Sequence, residues 1–317
     1  MIKLRKRIRN WIATRTVRQP GPVTVNRRRI YIVPTRFGYG YALLLFVMLM
    51  GAMNYSNSMA FALSFLLAGV GLLSMHHTHA NLLNLKLRSG RSAPVFAGET
   101  AAFEVLVANE SKAARYTVSL GWPDDPPAAT IDIPAQGASS ATLPLLAARR
   151  GWLKAPRFAV ATEFPLGLLH AWTWIELDMQ TLAYPAPAQA GAIPPMASGD
   201  SGLGLSNKPG VDEFAGLKTY APGDAPHSIH WKSFAKTGIP QVKRFAESVS
   251  QERVLDLERT PGELEARLSQ LSAWVLQAEE ERVPYTLVLP ALNLGPALGE
   301  KHRAACLRAL ALYGLAP

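Results

Sequence analysis

Two uncharged apolar segments, residues 37–53 and 59–75, constrain the fold more than any other feature of this chain. Each has 17 residues, and at 1.5 Å per residue a helix of this length is about 25 Å long, enough to cross a bilayer core. Neither segment carries the polar face that a surface helix of a soluble protein needs. Because only residues 54–58 separate them, the two segments predict an α-helical transmembrane hairpin.

The positive charge of the chain is concentrated in front of this hairpin. Residues 1–36 hold 11 of the 33 Lys and Arg residues and no acidic residue, which leaves 22 basic against 23 acidic residues elsewhere. A nucleic-acid-binding domain needs a basic face on the fold itself, and so we expect no nucleic-acid partner. The positive-inside rule places residues 1–36, a basic tail, in the cytoplasm, and two spans return the C-terminus to the same side.

The first eighteen residues of the tail leave two interpretations open. Apolar side chains fall on one helical face and cations on the other, as in a helix that lies on a membrane surface and is attracted to anionic lipid. The alternative is a disordered basic tail that only sets the orientation of the spans. The lipid bilayer is a predicted partner of the chain in both cases.

Beyond the hairpin, the apolar period changes to two, which predicts a β-sandwich of the immunoglobulin-like kind over residues 81–187. Gly, Pro, Asn and Asp separate the predicted strands at short intervals. The strands are expected at residues 83–88, 101–108, 116–121, 129–133, 140–147, 158–162, 168–175 and 180–184. Val105, Val107, Val118 and Leu120 are expected to fill its core.

Residues 188–209 are rich in Pro, Gly, Ala and Ser and predict a linker. In the C-terminal part, residues 210–317, strands are predicted at 241–245, 253–257 and 285–289. A helix with a 3.6-residue apolar period begins near Pro261 and another covers residues 300–313. The order strand, helix, strand, helix predicts parallel pairing in a small α/β domain. The one cysteine, Cys306, lies in the apolar pattern of the last helix and is expected to be buried.

Residues 210–245 form a signature stretch in which charged and aromatic side chains are unusually dense. Pro222 and Gly223 suit the central positions of a type II turn, and Asp224 follows where a carboxylate can cap a short turn. The side chains singled out as a partner-binding or structural set are Glu213, Lys218, Tyr220, Gly223, Asp224, Trp231, Lys232 and Lys236. An alternative catalytic set would use Asp224 as a base, with His227, His230 or Lys232 as partners.

The spacing G-x-E-F-x-G-L-K-x-Y-x-P-G-D-x-x-x-x-I-x-W-K in this stretch resembles the signature of the bacterial domain-of-unknown-function 58 family. The resemblance extends over essentially the whole chain. It implies a bacterial inner-membrane protein whose α/β domain resembles a truncated von Willebrand factor A fold. Partners implied by the resemblance are a MoxR-type AAA+ ATPase and a transglutaminase-like membrane protein. The resemblance implies no settled biochemical activity.

The von Willebrand factor A comparison also predicts that the chain holds no metal ion. In that fold the metal site requires D-x-S-x-S after the first strand, which the comparison places at residues 254–258. Here the run is Asp256-Leu257-Glu258-Arg259-Thr260, without the two serines. The oxygen ligands that Mg²⁺ requires are therefore not encoded. We expect neither a metal nor a cofactor.

Three functions can be weighed against these features. A membrane-anchored scaffold or adaptor that docks a protein partner agrees with the anchor and with the absence of a complete catalytic set. An enzyme of unknown reaction class would depend on Asp224 and its neighbours, but no oxyanion loop, P-loop or zinc spacing accompanies them. A channel or transporter would need an ionisable residue within the spans, and neither span has one.

Substitution of Asp224 separates the scaffold from the enzyme. If Asp224 caps a turn, Asp224→Asn keeps an acceptor oxygen and costs little, whereas Asp224→Ala costs about 1 kcal/mol of stability. If Asp224 is a general base, Asn is as damaging as Ala, because an amide cannot take up the proton. Denaturant unfolding and complementation in cells measure the two effects. Trp231→Ala, expected to cost roughly 3–5 kcal/mol, is the control for folding.

Overall fold

The computed structural model of the chain describes residues 21–123, 125–189, 213–219, 241–246 and 252–315. The chain divides into two compact units, one comprising residues 1–186 with 311–317 and the other residues 187–310. The first contains a helical hairpin and three β-sheets, and the second contains two smaller sheets with a helix between two of the strands.

The hairpin consists of helix α1, Arg36–Asn54, and helix α2, Ser58–Leu82. Both helices are long and apolar enough to cross a membrane. Thr35 caps α1 by accepting a hydrogen bond from Gly38 N, and Asn57 caps α2 through Met59 N and Ala60 N. The second helix runs seven residues beyond the predicted end of the apolar segment at Met75, because His76, His77 and the residues after them continue the helical turn.

The strands of the first unit form one four-stranded, one five-stranded and one three-stranded sheet. Their bounds are β1 Val23–Thr24, β2 Tyr31–Pro34, β3 Lys86–Ser89, β4 Val95–Phe96, β5 Thr100–Asn109, β6 Arg115–Gly121, β7 Ala129–Ile133, β8 Gly137–Leu146, β9 Gly151–Lys154, β10 Phe158–Thr162, β11 Leu169–Ile175 and β12 Gln180–Tyr184. Their orders are β1-β3-β5-β8, β2-β11-β10-β6-β7 and β4-β12-β9. All pairings are antiparallel except that of β4 with β12.

The four-stranded and five-stranded sheets share one hydrophobic core, as in a β-sandwich. Along β5 the buried and less buried residues alternate with period two, and the predicted core residues Val105, Val107, Val118 and Leu120 are fully buried. At the centre, the Trp122 ring packs edge-on against Phe103 and Phe158, with ring centroids 6.4 and 6.3 Å apart. Its indole N–H donates to the carbonyl of Pro144 and so is satisfied inside the core.

The eight strands predicted from the period-two pattern all occur, with bounds shifted by up to three residues. The structure adds four strands, β4 and β9 within the β-sandwich range and β1 and β2 inside the stretch that we expected to be a basic tail. Val23 pairs with Leu87, and Tyr31 pairs with Trp172. The physical reason is that Val23, Val25 and Ile32 contribute to the core, while the arginines between them, Arg27–Arg29, form a short 3₁₀ turn without a buried residue.

In the second unit, β13, Glu213–Thr219, pairs antiparallel with β14, Gln241–Ala246. The other sheet contains β15, Arg253–Asp256, parallel to β16, Tyr285–Leu289, and β17, Leu292–Ala297, antiparallel to β16. Helix α3, Leu264–Glu280, connects the two parallel strands, and helix α4, Glu300–Leu312, follows. The predicted parallel strand–helix–strand unit is therefore confirmed.

Helix α3 buries the face that its period predicted. Leu268, Leu271, Val275 and Ala278 are fully buried, while Leu264, the first residue of the helix, is exposed. The pattern did not predict β17. Gly295 lies in this strand with φ +121°, and a Cβ there would overlap the carbonyl oxygen of Tyr285, so the close pairing requires glycine.

Candidate functional site

Most residues of the signature set lie outside the described residues. These are Tyr220, Gly223, Asp224, His227, His230, Trp231, Lys232 and Lys236. Glu213 and Lys218 lie in β13, where Glu213 pairs with Ala246 and Lys218 with Val242. Thr219, the last residue of β13, pairs with Gln241, the first residue of β14.

The described residues bring polar side chains together at another place, the base of the helical hairpin. Residues 163–168 between β10 and β11, here called the basal turn, receive hydrogen bonds from both helices. Thr35, at the start of α1, donates through Oγ1 to the Gly167 carbonyl at 2.5 Å and through its backbone N to the Leu168 carbonyl at 2.9 Å. The first turn of α1 is thereby fixed to the end of two inner strands of the five-stranded sheet.

Glycine is required where α1 crosses the basal turn. Gly38 is buried, and a Cβ built on it would overlap the carbonyl oxygen of Leu168. The helix backbone can therefore approach the turn only because this residue has no side chain. Two residues further along the same helix, a Cβ on Gly40 would meet no atom within 4 Å.

The last turns of α2 make the second half of the junction. The Thr78 hydroxyl hydrogen-bonds to the carbonyl of Phe164 at 2.7 Å. Asn81 donates through Nδ2 to the Tyr116 carbonyl at 2.7 Å and to Thr162 Oγ1 at 2.8 Å, and its Oδ1 accepts from Tyr116 N at 3.0 Å. The amide of Asn81 thus pairs with β6 much as a neighbouring strand would. Since Asn81 and Thr78 are buried, loss of either would leave unpaired polar groups.

Within the hairpin, the distribution of residues is the reverse of that in a soluble protein. The residues of the two helices that are buried include Gly38, Ala52, Ser64 and Ser74, which are small. Large apolar side chains point outward, among them Phe37, Leu43, Phe46, Met59, Phe65 and Leu72. Small residues between helices and large apolar ones outside are typical of helices that pack together in lipid.

One interhelical contact shows why a small residue is needed. The Tyr41 hydroxyl of α1 donates to the carbonyl of Leu67 in α2 at 2.6 Å. Its ring lies over Gly71, where a Cβ would come within 3.2 Å of Tyr41 Cε1. The hydrogen bond joins the two helices and satisfies the phenol hydroxyl without a water molecule.

In the second unit, the carboxylate of Asp256 is engaged by its own turn. Oδ1 accepts a hydrogen bond from Glu258 N at 2.9 Å, and Oδ2 lies 3.4 Å from Arg259 Nε. Among the described residues, no group of three or more His, Cys, Asp or Glu is placed to hold a metal ion. At the end of β15 the carboxylate therefore stabilises a turn.

A partly buried polar cluster joins the two helices of the second unit. Glu279, in the last turn of α3, accepts hydrogen bonds from Tyr285 Oη and from Gly299 N, both at 3.0 Å, directly before α4. A carboxylate at this position also stabilises the N-terminus of α4 electrostatically. His302 Nε2 hydrogen-bonds to the Tyr285 carbonyl at 3.1 Å.

The same cluster accounts for the state of Cys306. Its sulfur lies 3.6 Å from His302 Nε2, but the residue is fully buried, and burial raises the pKa of the thiol to about 12. Burial likewise raises the pKa of Tyr285 above its ordinary value. Both groups are protonated at neutral pH, and so this cysteine–histidine pair is not poised as a nucleophile. The prediction that Cys306 is buried is confirmed.

Comparison with known proteins adds no relative. No family model, curated protein or solved structure matches the chain. Among the described residues, the junction at the hairpin base brings Thr35, Thr78 and Asn81 into hydrogen bonds with the basal turn and β6.

Sequence reasoning did not predict this junction. Gly167 of the basal turn adopts a positive φ of 68°, a conformation that favours glycine. Thr35, Thr78 and Asn81 were not singled out. The available signal was that Thr78 and Asn81, one helical turn apart, are uncharged polar residues at the end of an otherwise apolar helix.

The junction predicts a sharp difference between two alanine substitutions in α1. Gly38→Ala forces the helix away from the basal turn and breaks the Thr35 hydrogen bonds, with an expected cost of about 2–4 kcal/mol. Gly40→Ala adds a methyl group to open space and improves helix propensity, so stability stays within about 1 kcal/mol of the wild type. Thermal unfolding of the purified chain in detergent measures both. Equal effects of the two substitutions would contradict the described packing.

Proposed function

We propose that the chain is a membrane-anchored scaffold or adaptor of the domain-of-unknown-function 58 type. In this proposal the hairpin crosses the bacterial inner membrane with both termini in the cytoplasm. An immunoglobulin-like β-sandwich and an α/β domain of the truncated von Willebrand factor A kind face the cytoplasm and dock a protein partner. The family resemblance suggests a MoxR-type AAA+ ATPase as that partner, and a transglutaminase-like membrane protein as a further component.

The observation that carries the proposal is the absence of a flexible tether between the hairpin and the β unit. Only Thr35 separates β2 from α1, and only Leu83, Asn84 and Leu85 separate α2 from β3. Leu82 and Leu85 belong to the hydrophobic core itself. An anchor that only retained an enzyme at the membrane would not need this connection. A scaffold does, because its docking surface must keep a defined orientation to the bilayer.

The exposed surface of the hairpin supports the membrane location. Phe37, Phe65 and Leu72 are 81%, 66% and 71% exposed. Leaving such residues in water forgoes roughly 1.5–3 kcal/mol for each side chain, whereas lipid provides an apolar environment for all of them. The basic residues that precede α1 are on the side that the positive-inside rule assigns to the cytoplasm.

The second unit supports docking over catalysis. Its parallel β15–α3–β16 arrangement agrees with a von Willebrand factor A relative, but Asp256 is used in a turn and the Cys306 thiol is buried with a raised pKa. The signature set then contributes to partner binding or to local structure. The alternative, an enzyme using Asp224 with His227, His230 or Lys232, is distinguished by the Asp224 substitutions described above.

Reporter fusions test the orientation of the hairpin. A reporter that is active only in the cytoplasm is expected to be active after Met75 and after Pro317, because both positions follow an even number of spans. A reporter inserted at Asn57, between the helices, should behave as periplasmic. A periplasmic C-terminal fusion would overturn the topology and, with it, docking of a cytoplasmic ATPase.

Binding of the purified MoxR-type ATPase from the same genome tests the docking. The full chain in nanodiscs should bind it, and the double substitution Lys232→Ala and Lys236→Ala should weaken binding about tenfold, equivalent to about 1.4 kcal/mol. Lys154→Ala removes an exposed cation from β9 in the first unit and is the matched control, with unchanged affinity expected. Absence of binding by the wild-type chain, or equal weakening by the control, would contradict the proposal.

A further inference from the structure

The basal turn has a second property that its hydrogen bonds to the helices do not explain. Its Pro165 and Leu166 side chains point away from the protein, and Leu166 is 54% exposed. Phe164 packs against Tyr116 with tilted rings whose centroids are 5.1 Å apart, and Tyr116 is itself exposed. The turn thus presents apolar side chains at its tip and an aromatic pair beside them.

The hydrogen bonds fix the height of this turn relative to the hairpin. On α1 it is bonded to Thr35, two residues before the uncharged segment begins at Phe37. On α2 it is bonded to Thr78, three residues after that segment ends at Met75, which corresponds to about 4.5 Å along the helix. If the hairpin spans a bilayer, the basal turn lies where the hydrocarbon meets the headgroups.

The surroundings of the turn have the composition of a membrane interface. Arg36 is exposed at the first position of α1, and Arg27 and Arg28 are exposed in the 3₁₀ turn that precedes β2. The His79 side chain of α2 lies close enough to Arg27 for the two to interact electrostatically, which places this turn beside the end of α2. The one carboxylate of the basal turn, Glu163, lies 3.0 Å from His170 Nδ1.

We propose that the basal turn is a lipid-contact surface of the β unit, in which Pro165, Leu166 and Tyr116 enter the interfacial region of the bilayer that holds the hairpin. Arg27, Arg28 and Arg36 meet anionic headgroups of the same leaflet. This inference rests on the proposed membrane location of the hairpin. It adds that the β unit lies against the membrane, with its basal edge immersed. Apolar side chains flanked by aromatic rings and cations are typical of such interfacial contacts.

Site-specific quenching in reconstituted vesicles tests the surface. A single cysteine carrying an environment-sensitive fluorophore is placed at Leu166, Leu63 or Leu146 of the full chain, in a Cys306→Ala background. The vesicles contain equal parts of phosphatidylcholine and phosphatidylglycerol, with or without bromine on the acyl chains near the headgroup. Leu63, in α2, reports on the hairpin.

Leu146 is the matched control for Leu166. It is 59% exposed and belongs to the same unit. Leu146 is the last residue of β8 and Gly137 is the first. Gly137 pairs with Asn109 at the end of the sheet nearer to the hairpin. Leu146 is nine positions along the strand from Gly137, a distance of about 30 Å.

We expect brominated lipid to quench the label at Leu166 at least about twofold more than the label at Leu146, with a blue-shifted emission, as for side chains immersed 5–10 Å below the surface. Quenching at Leu63 but equal, weak quenching at Leu166 and Leu146 would overturn the lipid contact and leave the membrane anchor intact. No quenching at Leu63 would overturn the anchor and the lipid contact together.

Discussion

The bidentate pairing of Asn81 with the backbone of Tyr116 is the interaction on which the arrangement of the first unit depends. A helix that ends against the edge of a sheet leaves backbone groups on both sides without partners, and burial of such groups costs about 1–3 kcal/mol each. The Asn81 amide supplies one acceptor and one donor in the places where a strand would supply them. The Thr35 and Thr78 hydroxyl groups likewise hydrogen-bond to backbone carbonyl groups of the basal turn. These hydrogen bonds, together with burial of Leu82 and Leu85 in the core, fix the hairpin to the β unit.

Sequence patterns predicted the elements of this fold well where burial of apolar side chains determined the pattern. The uncharged segments and the period-two runs around Val105 and Val118 are determined by burial alone, and both predictions agree with the structure. Strands β1 and β2 were missed because their apolar residues occur in short runs among arginines, and charge dominated the interpretation of that stretch. Their partners, Leu87 and Trp172, are far away in sequence, and no local pattern encodes this pairing.

The candidate site was harder to predict than the fold for the same reason. Thr35 and Gly167 are 132 residues apart, and each is unremarkable in its own neighbourhood. The signature stretch, in contrast, is dense in charged and aromatic residues, but density does not distinguish a catalytic group from a turn cap. In the second unit, Asp256 illustrates the distinction, since its carboxylate binds its own turn. Cys306 was correctly predicted as buried because its neighbours Leu307 and Leu310 share its helical face.

The pairing of β2 with β11 has a consequence for biogenesis. The ribosome makes β2 just before the hairpin, but β11 only after about 130 further residues, which at 5–20 residues per second is a delay of roughly ten seconds. In the proposed topology, both helices can enter the membrane during that time, while the segment around Tyr31 has no strand to join. Insertion then precedes closure of the sheet, and the growing β domain is assembled onto a segment that the bilayer already holds in place.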